Sequence, residues 1–434
     1  MGPDRGADRR ASGLRDRARA PGIPPPRRRP LAPETIVIRP RSLPFLALLA
    51  ALVALGGLAI DMYLPALPTI GVEFAAGPDR VQLTMSVYLL GSAAGQIVIG
   101  PLSDRFGRRP VLIGGFLLFA AASLGATSAG SVETLIAWRL LQSLGASAGG
   151  VLAVAIVRDS YPVDGAARTV AHLSTIIGLS PAVAPFIGGA LLTVFGWRSI
   201  FAALAASGLA LAAIVAFGLG ETRSASARPP ATMLAHLLHS YATLLRDRRF
   251  LAYVLCVSFA FAGLFTFVAG SSYAVIEHWG VPPARFGAIF AVLPVAFMVG
   301  AQLGALLGRW LSITALLSIG VLVCCIAGLA LAALYLLDGG LVAFMLPVAA
   351  YIVGVGIILP QGIACVMADH PQMAGAASAV AGCAQLAVSA AVAALAAALS
   401  DGTPLAMALT MAAVAPAALL AERIAVRSRS TQPA

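Results

Sequence analysis

The chain predicts an all-α integral membrane protein, with twelve transmembrane helices in two pseudo-symmetric bundles of six. Three observations carry that expectation. Of its 434 residues, 59% are hydrophobic and only 11% charged. A soluble domain carries about 25% charged residues, so this chain has too few to face water all round. Apolar blocks of about 20 residues, the length that crosses a bilayer, recur from residue 43 to residue 423. The longest polar interruption after the amino-terminal tail, 220–249, parts those blocks six and six.

Taken in order, residues 1–41 read as a disordered basic tail with a Pro24-Pro25-Pro26-Arg27-Arg28-Arg29 run, a composition that cannot build a core. It is either a polybasic arm for acidic lipid or a tail without a role. It does not read as a cleaved signal peptide, because the apolar stretch that follows is too long and no Ala-x-Ala site closes it. The first bundle, 43–219, divides into spans at 43–66, 80–101, 109–129, 132–157, 167–193 and 198–219. A polar linker, 220–249, follows, and the second bundle, 250–423, has spans at 250–271, 284–308, 311–335, 341–366, 373–398 and 403–423. Residues 424–434 read as a closing tail.

The formal charge of +11 invites a nucleic-acid reading, but eleven Arg against four acids place +7 in the tail alone. Most other arginines, among them Arg105, Arg108, Arg109, Arg158, Arg168, Arg223, Arg246 and Arg309, fall in short loops on one side. The opposite loops carry chiefly Arg80, Arg198 and Arg285 alongside Glu73, Asp79, Glu277, Asp338 and Asp401. The positive-inside rule then places both termini in the cytoplasm. No nucleic-acid partner is expected. Five cysteines lie inside apolar blocks without a Cys-x-x-Cys or Cys/His cluster, so neither a metal site nor a disulfide framework is expected.

Four features carry chemistry. Gly100-Pro101-Leu102-Ser103-Asp104-Arg105-Phe106-Gly107-Arg108-Arg109-Pro110 joins two spans through about eight polar or turn-forming residues. Its charges mark a tight hairpin, in which Gly100 and Gly107 are expected to let backbones approach closely. Asp61 reads as the only acid deep within a span. A carboxylate there costs roughly 2.5–3.5 kcal/mol on insertion scales and normally faces a cavity or a partner. Burial disfavours the charged form of a carboxyl, which suits a group that binds and releases a proton in turn. The alternative is that Asp61, close before Pro65 and Pro68, merely caps a helix end. Arg139, early in the fourth span, calls for a cavity, a carboxylate or several carbonyls, unless it snorkels to the interface. Asp61 is its candidate partner at matching depth. In the fifth span, Gly178, Pro181, Pro185 and Gly188, with Gly189 beside them, form a narrow stripe that allows close packing and a bend. Polar or aromatic groups such as Tyr63, Gln96, Gln142, Phe261 and Phe265 are tentative lining for a substrate path.

With these residues together, the chain resembles the Bcr/CflA family of the major facilitator superfamily, the bicyclomycin- and chloramphenicol-resistance type of drug:proton antiporter. The likeness runs from about 43 to 423. It rests on Ile60-Asp61-Met62-Tyr63-Leu64-Pro65-Ala66-Leu67-Pro68, Gly95-Gln96, the Gly100–Pro110 hairpin, Arg139-Leu140-Leu141-Gln142, Arg158-Asp159, and Gly178 to Gly189. Phe259-Ala260-Phe261-Ala262-Gly263 and Pro371-Gln372-Met373-Ala374-Gly375 extend it into the second half. The resemblance implies the major facilitator fold and an efflux antiporter of the bacterial inner membrane. Such a protein exports small-molecule drugs or antibiotics by alternating access. It implies that Asp61 takes part in proton exchange, supported by Arg139. It also implies a latch of Gly100, Asp104, Arg105, Gly107, Arg108, Arg109 and Asp159. In that latch Asp104 faces the amino end of the eleventh helix near Pro371, and Arg108 pairs with Asp159.

Two departures stand out. Ser143 occupies a position usually held by Gly, which is expected to loosen a close contact, and 48–58 lacks the second acid of some multidrug members. The latter favours neutral or zwitterionic substrates. The proton gradient replaces any cofactor, and no Gly-x-x-x-x-Gly-Lys-Ser/Thr phosphate loop is present. The expected partners are a small-molecule substrate, protons and the bilayer, and the expected state is a monomer. An exporter of an amino acid or self-made natural product is the alternative. A membrane sensor is disfavoured by retention of Asp61, Arg139 and the fifth-span stripe. A membrane-embedded enzyme is disfavoured because no His-Glu-x-x-His, paired intramembrane Asp or Ser/His pairing is present.

Overall fold

The computed structural model describes residues 38–222, 233–368 and 370–430, and all regular structure among them is helical. Most of the predicted amino-terminal tail and part of the predicted linker lie outside these residues. Among the described residues eleven segments are long and apolar enough to cross a bilayer. The remaining predicted span, the fifth, is α6 (Val163–Phe195), whose 33 residues exceed the requirement and whose described apolar stretch is Ser180–Phe195.

The first span is broken. Helix α1 (Leu43–Asp61) gives way to a 3-10 turn, Leu64–Ala66, and then to α2 (Leu67–Glu73). Pro65 and Pro68 lack the N–H groups that the carbonyls of Asp61 and Leu64 would accept in an unbroken helix. Each proline sits instead in the first turn of the next segment, where no donor is missed. Then follow α3 (Pro78–Phe106), α4 (Arg108–Thr127), α5 (Val132–Ser160), α6 and α7 (Arg198–Gly218). The predicted eight-residue hairpin between α3 and α4 shrinks to Gly107 alone, whose φ of 97° is open to glycine and strained for other residues.

Within the predicted linker, α8 (Met233–Arg246) is a helix of 14 residues. The second half continues with α9 (Arg248–Ser272), which ends in a π-helical turn, Tyr273–His278. The next span bends between α10 (Pro283–Phe290) and α11 (Val292–Leu307), where Pro294 withholds its donor from Phe290. Helices α12 (Ile313–Leu336), α13 (Gly340–Ala368), α14 (Ala374–Ala398) and α15 (Leu405–Ser430) complete the chain. Helix α15 outruns the span predicted to end at residue 423, so most of the supposed closing tail is helical.

Contacts fix which ends share a side. Ile38 N–H donates to the Gly218 carbonyl at 2.6 Å and Arg41 to that of Ser160 at 3.1 Å. These bonds gather the start of α1 and the ends of α5 and α7 on the hairpin side. On the far side, Glu73 accepts from Trp197 Nε1 at 2.6 Å and pairs with Arg198 at 2.5 Å. Arg198 also donates to the Thr127 carbonyl at 3.1 Å, tying the ends of α2 and α4 to the start of α7.

Large apolar side chains such as Leu322, Ile326 and Leu329, one stripe of α12, are exposed, as a lipid-facing surface requires. The two halves meet where α3 packs on α14, α6 on α10, and the broken first span on α9. On the far side the α6–α10 contact is backbone-close. A Cβ on Gly189 would lie 2.8 Å from the Pro283 carbonyl oxygen, and one on Gly287 2.8 Å from the Phe186 nitrogen.

Candidate functional site

The break in the first span sets the site. Asp61 closes α1 but not the span, since the 3-10 turn and α2 follow it. Its side chain is buried, at 6% exposure. It therefore lies within the bundle and does not serve as an end cap.

Arg139, one to two turns into α5, is completely buried at 0% exposure, so it does not snorkel. One terminal nitrogen donates to the Ala59 carbonyl at 2.9 Å and to Gln142 Oε1 at 2.7 Å. The other lies 3.6 Å from Met85 Sδ. The guanidinium centre stands 4.2 Å from the Tyr88 ring centroid and 4.7 Å from that of Tyr63. The cation is thus compensated by a carbonyl at the negative end of α1 and by aromatic faces. Among the described contacts no ion pair joins it to Asp61, the partner expected from matching depth. Its Nε has no acceptor.

Most polar groups around the guanidinium have partners of their own. Gln142 Nε2 donates to Ser123 Oγ at 2.8 Å, and Ser123 to the Phe119 carbonyl at 2.7 Å. Tyr63 Oη and Thr84 Oγ1 are 3.1 Å apart, and Tyr88 donates to the Gly56 carbonyl at 3.1 Å. Tyr63 and Gln142, read as tentative cavity lining, are therefore fully buried supports of Arg139. Gln96 is half-buried on α3, its Oε1 2.3 Å from where a Cβ on Gly382 of α14 would lie. Phe261 and Phe265 pack together on α9, ring centroids 6.1 Å apart.

The glycine–proline stripe meets this break. A Cβ on Gly188 would fall 1.9 Å from the carbonyl oxygen of Met62, the residue after Asp61. Gly188 and Gly189 thus let α6 touch the broken span on one side and α10 on the other. Gly178 faces open space. Helix α6 stays helical through Pro181 and Pro185.

On the hairpin side, Arg108 bridges two carboxylates, Asp104 at 2.9 Å and Asp159 at 3.0 Å, joining α3, α4 and α5. Arg109 donates to the Ala216 carbonyl on α7, and Arg105 stacks over the neighbouring Phe106 ring. Glu221, just after α7, accepts from the backbone N–H groups of Arg108 at 2.9 Å and Arg109 at 3.2 Å. A carboxylate at the positive end of α4 is favourably placed. Gly107 admits it, since a Cβ there would stand 2.5 Å from Glu221 Oε2. Gly100, in contrast, faces nothing within 4 Å, so the close approach expected of it is absent. In the second half, burial works against the Asp247 carboxylate. Its hydrogen bonds with His370 and with the Phe250 and Arg249 amides nevertheless hold its pKa below the usual carboxylate value.

Two further expectations change, and one residue was missed. Ser143 does not loosen its contact. It fits against Gly91, where a Cβ would lie 1.9 Å from Ser143 Oγ, and Ser147 fits against Gly95 in the same way. Asp61 is not the only buried acid among the described residues, because Glu422, one residue inside the predicted end of the last span, is fully buried, with Ser318 Oγ donating to it. Glu221 carried no sequence signal beyond being an acid at the edge of a polar interruption.

Residues 49–394 match the sequence pattern of the Major Facilitator Superfamily. The Uncharacterized MFS-type transporter YdgK of Bacillus subtilis is 34% identical over 337 residues, 77% of this chain and 84% of that one. The Bicyclomycin resistance protein homolog of Haemophilus influenzae is 31% identical over 377 residues, 87% of this chain and 94% of that one. A crystal structure of a bacterial homolog to the human lysosomal transporter Spinster, inward-facing and occupied, aligns with a TM-score of 0.71. It covers 90% of this chain and 98% of that one at 15% identity, a likeness of fold. The chain belongs to the Major Facilitator Superfamily, within the bicyclomycin- and chloramphenicol-resistance family, and is a membrane-embedded small-molecule transporter rather than an enzyme.

Proposed function

We propose that the protein is a proton-coupled antiporter of the bacterial inner membrane that exports small-molecule drugs or antibiotics by alternating access. Both termini are cytoplasmic in this reading, and the half-bundles 43–219 and 250–423 rock about a site near the bilayer midplane. The observation that carries it is a buried carboxyl beside a buried cation that, among the described residues, has no carboxylate partner. Asp61 lies two residues from the carbonyl that holds Arg139. Neutral, the carboxyl can stand without an ion partner; ionised, it needs one, and Arg139 is within one local rearrangement of the broken span. Proton uptake and release at Asp61 then alternate with the loss and gain of that pair.

Each proton entering contributes about 2.3 kcal/mol per 100 mV of membrane potential, which drives export without a bound cofactor. The Asp104–Arg108–Asp159 bridge and the Glu221 cap keep the hairpin rigid, so that it latches the cytoplasmic side when the site opens outward. The absence of any acid in 48–58 favours neutral or zwitterionic cargo. A metabolite exporter remains the second reading on the same ground.

Drug susceptibility of an efflux-deficient bacterium tests the proposal. Wild type and Asp61→Asn are compared at matched membrane levels against bicyclomycin, phenicols, sulfonamides, quinolones and cationic dyes. Protection by wild type that vanishes in the variant is expected. Equal protection by both removes Asp61 from the mechanism, and no protection by either turns the search to exported metabolites.

A further inference from the structure

Two hydrogen bonds among those described join the halves, and both end on the broken first span. Ser272 Oγ, at the end of α9, donates to the Leu64 carbonyl. Tyr273 Oη, one residue on, donates to the Leu67 carbonyl at 3.3 Å. The Leu64 carbonyl accepts the Leu67 N–H in the 3-10 turn, and Pro68, with no N–H of its own to offer, leaves the second lone pair of that oxygen to Ser272. Ser272 and Leu64 are fully buried and Tyr273 nearly so, so water cannot readily substitute for the lost partner. Tyr273 also opens the π-helical turn Tyr273–His278, a geometry that is rare and concentrates at functional sites. Gly71 flanks it, a Cβ there lying 3.5 Å from Tyr273 Oη.

We propose that Ser272 and Tyr273 are positioning residues of a far-side gate that grips the proline-broken segment beginning just after Asp61. The halves part on that face when the Leu64 and Leu67 carbonyls give up these hydroxyls, and the bonds re-form when the face closes. Any movement of the break is thereby felt by the second half through two named bonds. The inference rests on the alternating-access part of the proposed function but not on the identity of cargo or coupling ion.

Hydrogen–deuterium exchange on the purified full-length protein in nanodiscs tests it. Ser272→Ala and Tyr273→Phe each remove one oxygen, and monodispersity confirms that both fold. Exchange in peptides covering 64–76 and 272–282 is expected to rise about fivefold for each bond lost. Over 100–110 it is expected to fall as the opposite face closes. Ser272→Thr, which restores a hydroxyl, returns the far-side peptides toward wild-type values. Unchanged far-side exchange overturns the gate, and so does a rise spread evenly over all peptides, which marks general loosening. The measurement needs neither substrate nor gradient. A wild type that protects against no drug leaves it standing, whereas flat far-side exchange in a protein that does export drugs removes the gate alone.

Discussion

Two arginines of the first half, Arg108 and Arg139, each tie helices together, and they do so with opposite chemistry. Arg108 lies on the hairpin side, partly exposed, between two carboxylates. Arg139 lies inside the bundle, with a peptide carbonyl, an amide oxygen and ring faces for company. The first is a finished ion network, its cation already met by two carboxylates. The second is a charge held by dipoles alone, close to an acid it does not touch. A cation without a counter-ion responds to a change in a neighbour's charge, whereas one with two is already satisfied. Under the proposed function, that difference gives the coupling role to Arg139 and leaves Arg108 to hold the hairpin.

The comparison breaks most clearly at Arg139. Arg139→Met leaves the Ala59 carbonyl and Gln142 Oε1 without a donor, at roughly 1–3 kcal/mol for each buried group. Drug protection is expected to disappear and the thermal midpoint in detergent to fall. Arg139→Lys keeps the charge but offers a compact ammonium for a planar fork. It is expected to be more stable than the Met variant, with protection still well below wild type. If Lys works as well as Arg, the fork geometry is irrelevant.

At the hairpin the effects shrink. Glu221→Gln removes the negative charge from the end of α4 while keeping one acceptor, a loss of about 0.3–1 kcal/mol. Midpoints measured at low and high salt are expected to converge, since the effect is screened. A salt-independent loss would mean that shape, and not charge, matters there. Smallest of all is Gly100→Ala, within about 0.5 kcal/mol of wild type. Gly188→Ala, whose Cβ meets the Met62 carbonyl, costs about 1–3 kcal/mol by overpacking. Equal stabilities for these two would contradict the assigned close approach.

Much of this was legible in the residues because polar groups stand out in apolar text. Asp61, Arg139 and the charged hairpin declare themselves by the cost of placing them in a bilayer, and the glycine–proline stripe by its spacing. What stayed hidden has physical reasons. Glu221 binds backbone amides more than a hundred residues away in sequence, and amides leave no side-chain signature. Ser272 is a serine in a helix, the least conspicuous of polar residues, and its acceptor is a backbone carbonyl 208 residues away in sequence. Glu422 seemed to end a span because an apolar pattern does not say where a helix stops. Ser143 looks like a departure until it is seen to fill the space that Gly91 leaves.

The break in the first span also bears on how the protein is made. Its two prolines are permanent, so the carbonyls they strand are present from the moment the segment leaves the ribosome and enters lipid. The Ala59 carbonyl, beside the break though not stranded by either proline, receives Arg139 only when α5, three spans later, has been threaded beside it. The Leu64 carbonyl, held locally by the Leu67 N–H alone, gains its second donor from Ser272, in the other half of the chain. The first segment inserted is therefore among the last to be completed. A polar debt in hydrocarbon gives the growing chain a reason to draw its fourth and seventh spans back against its first.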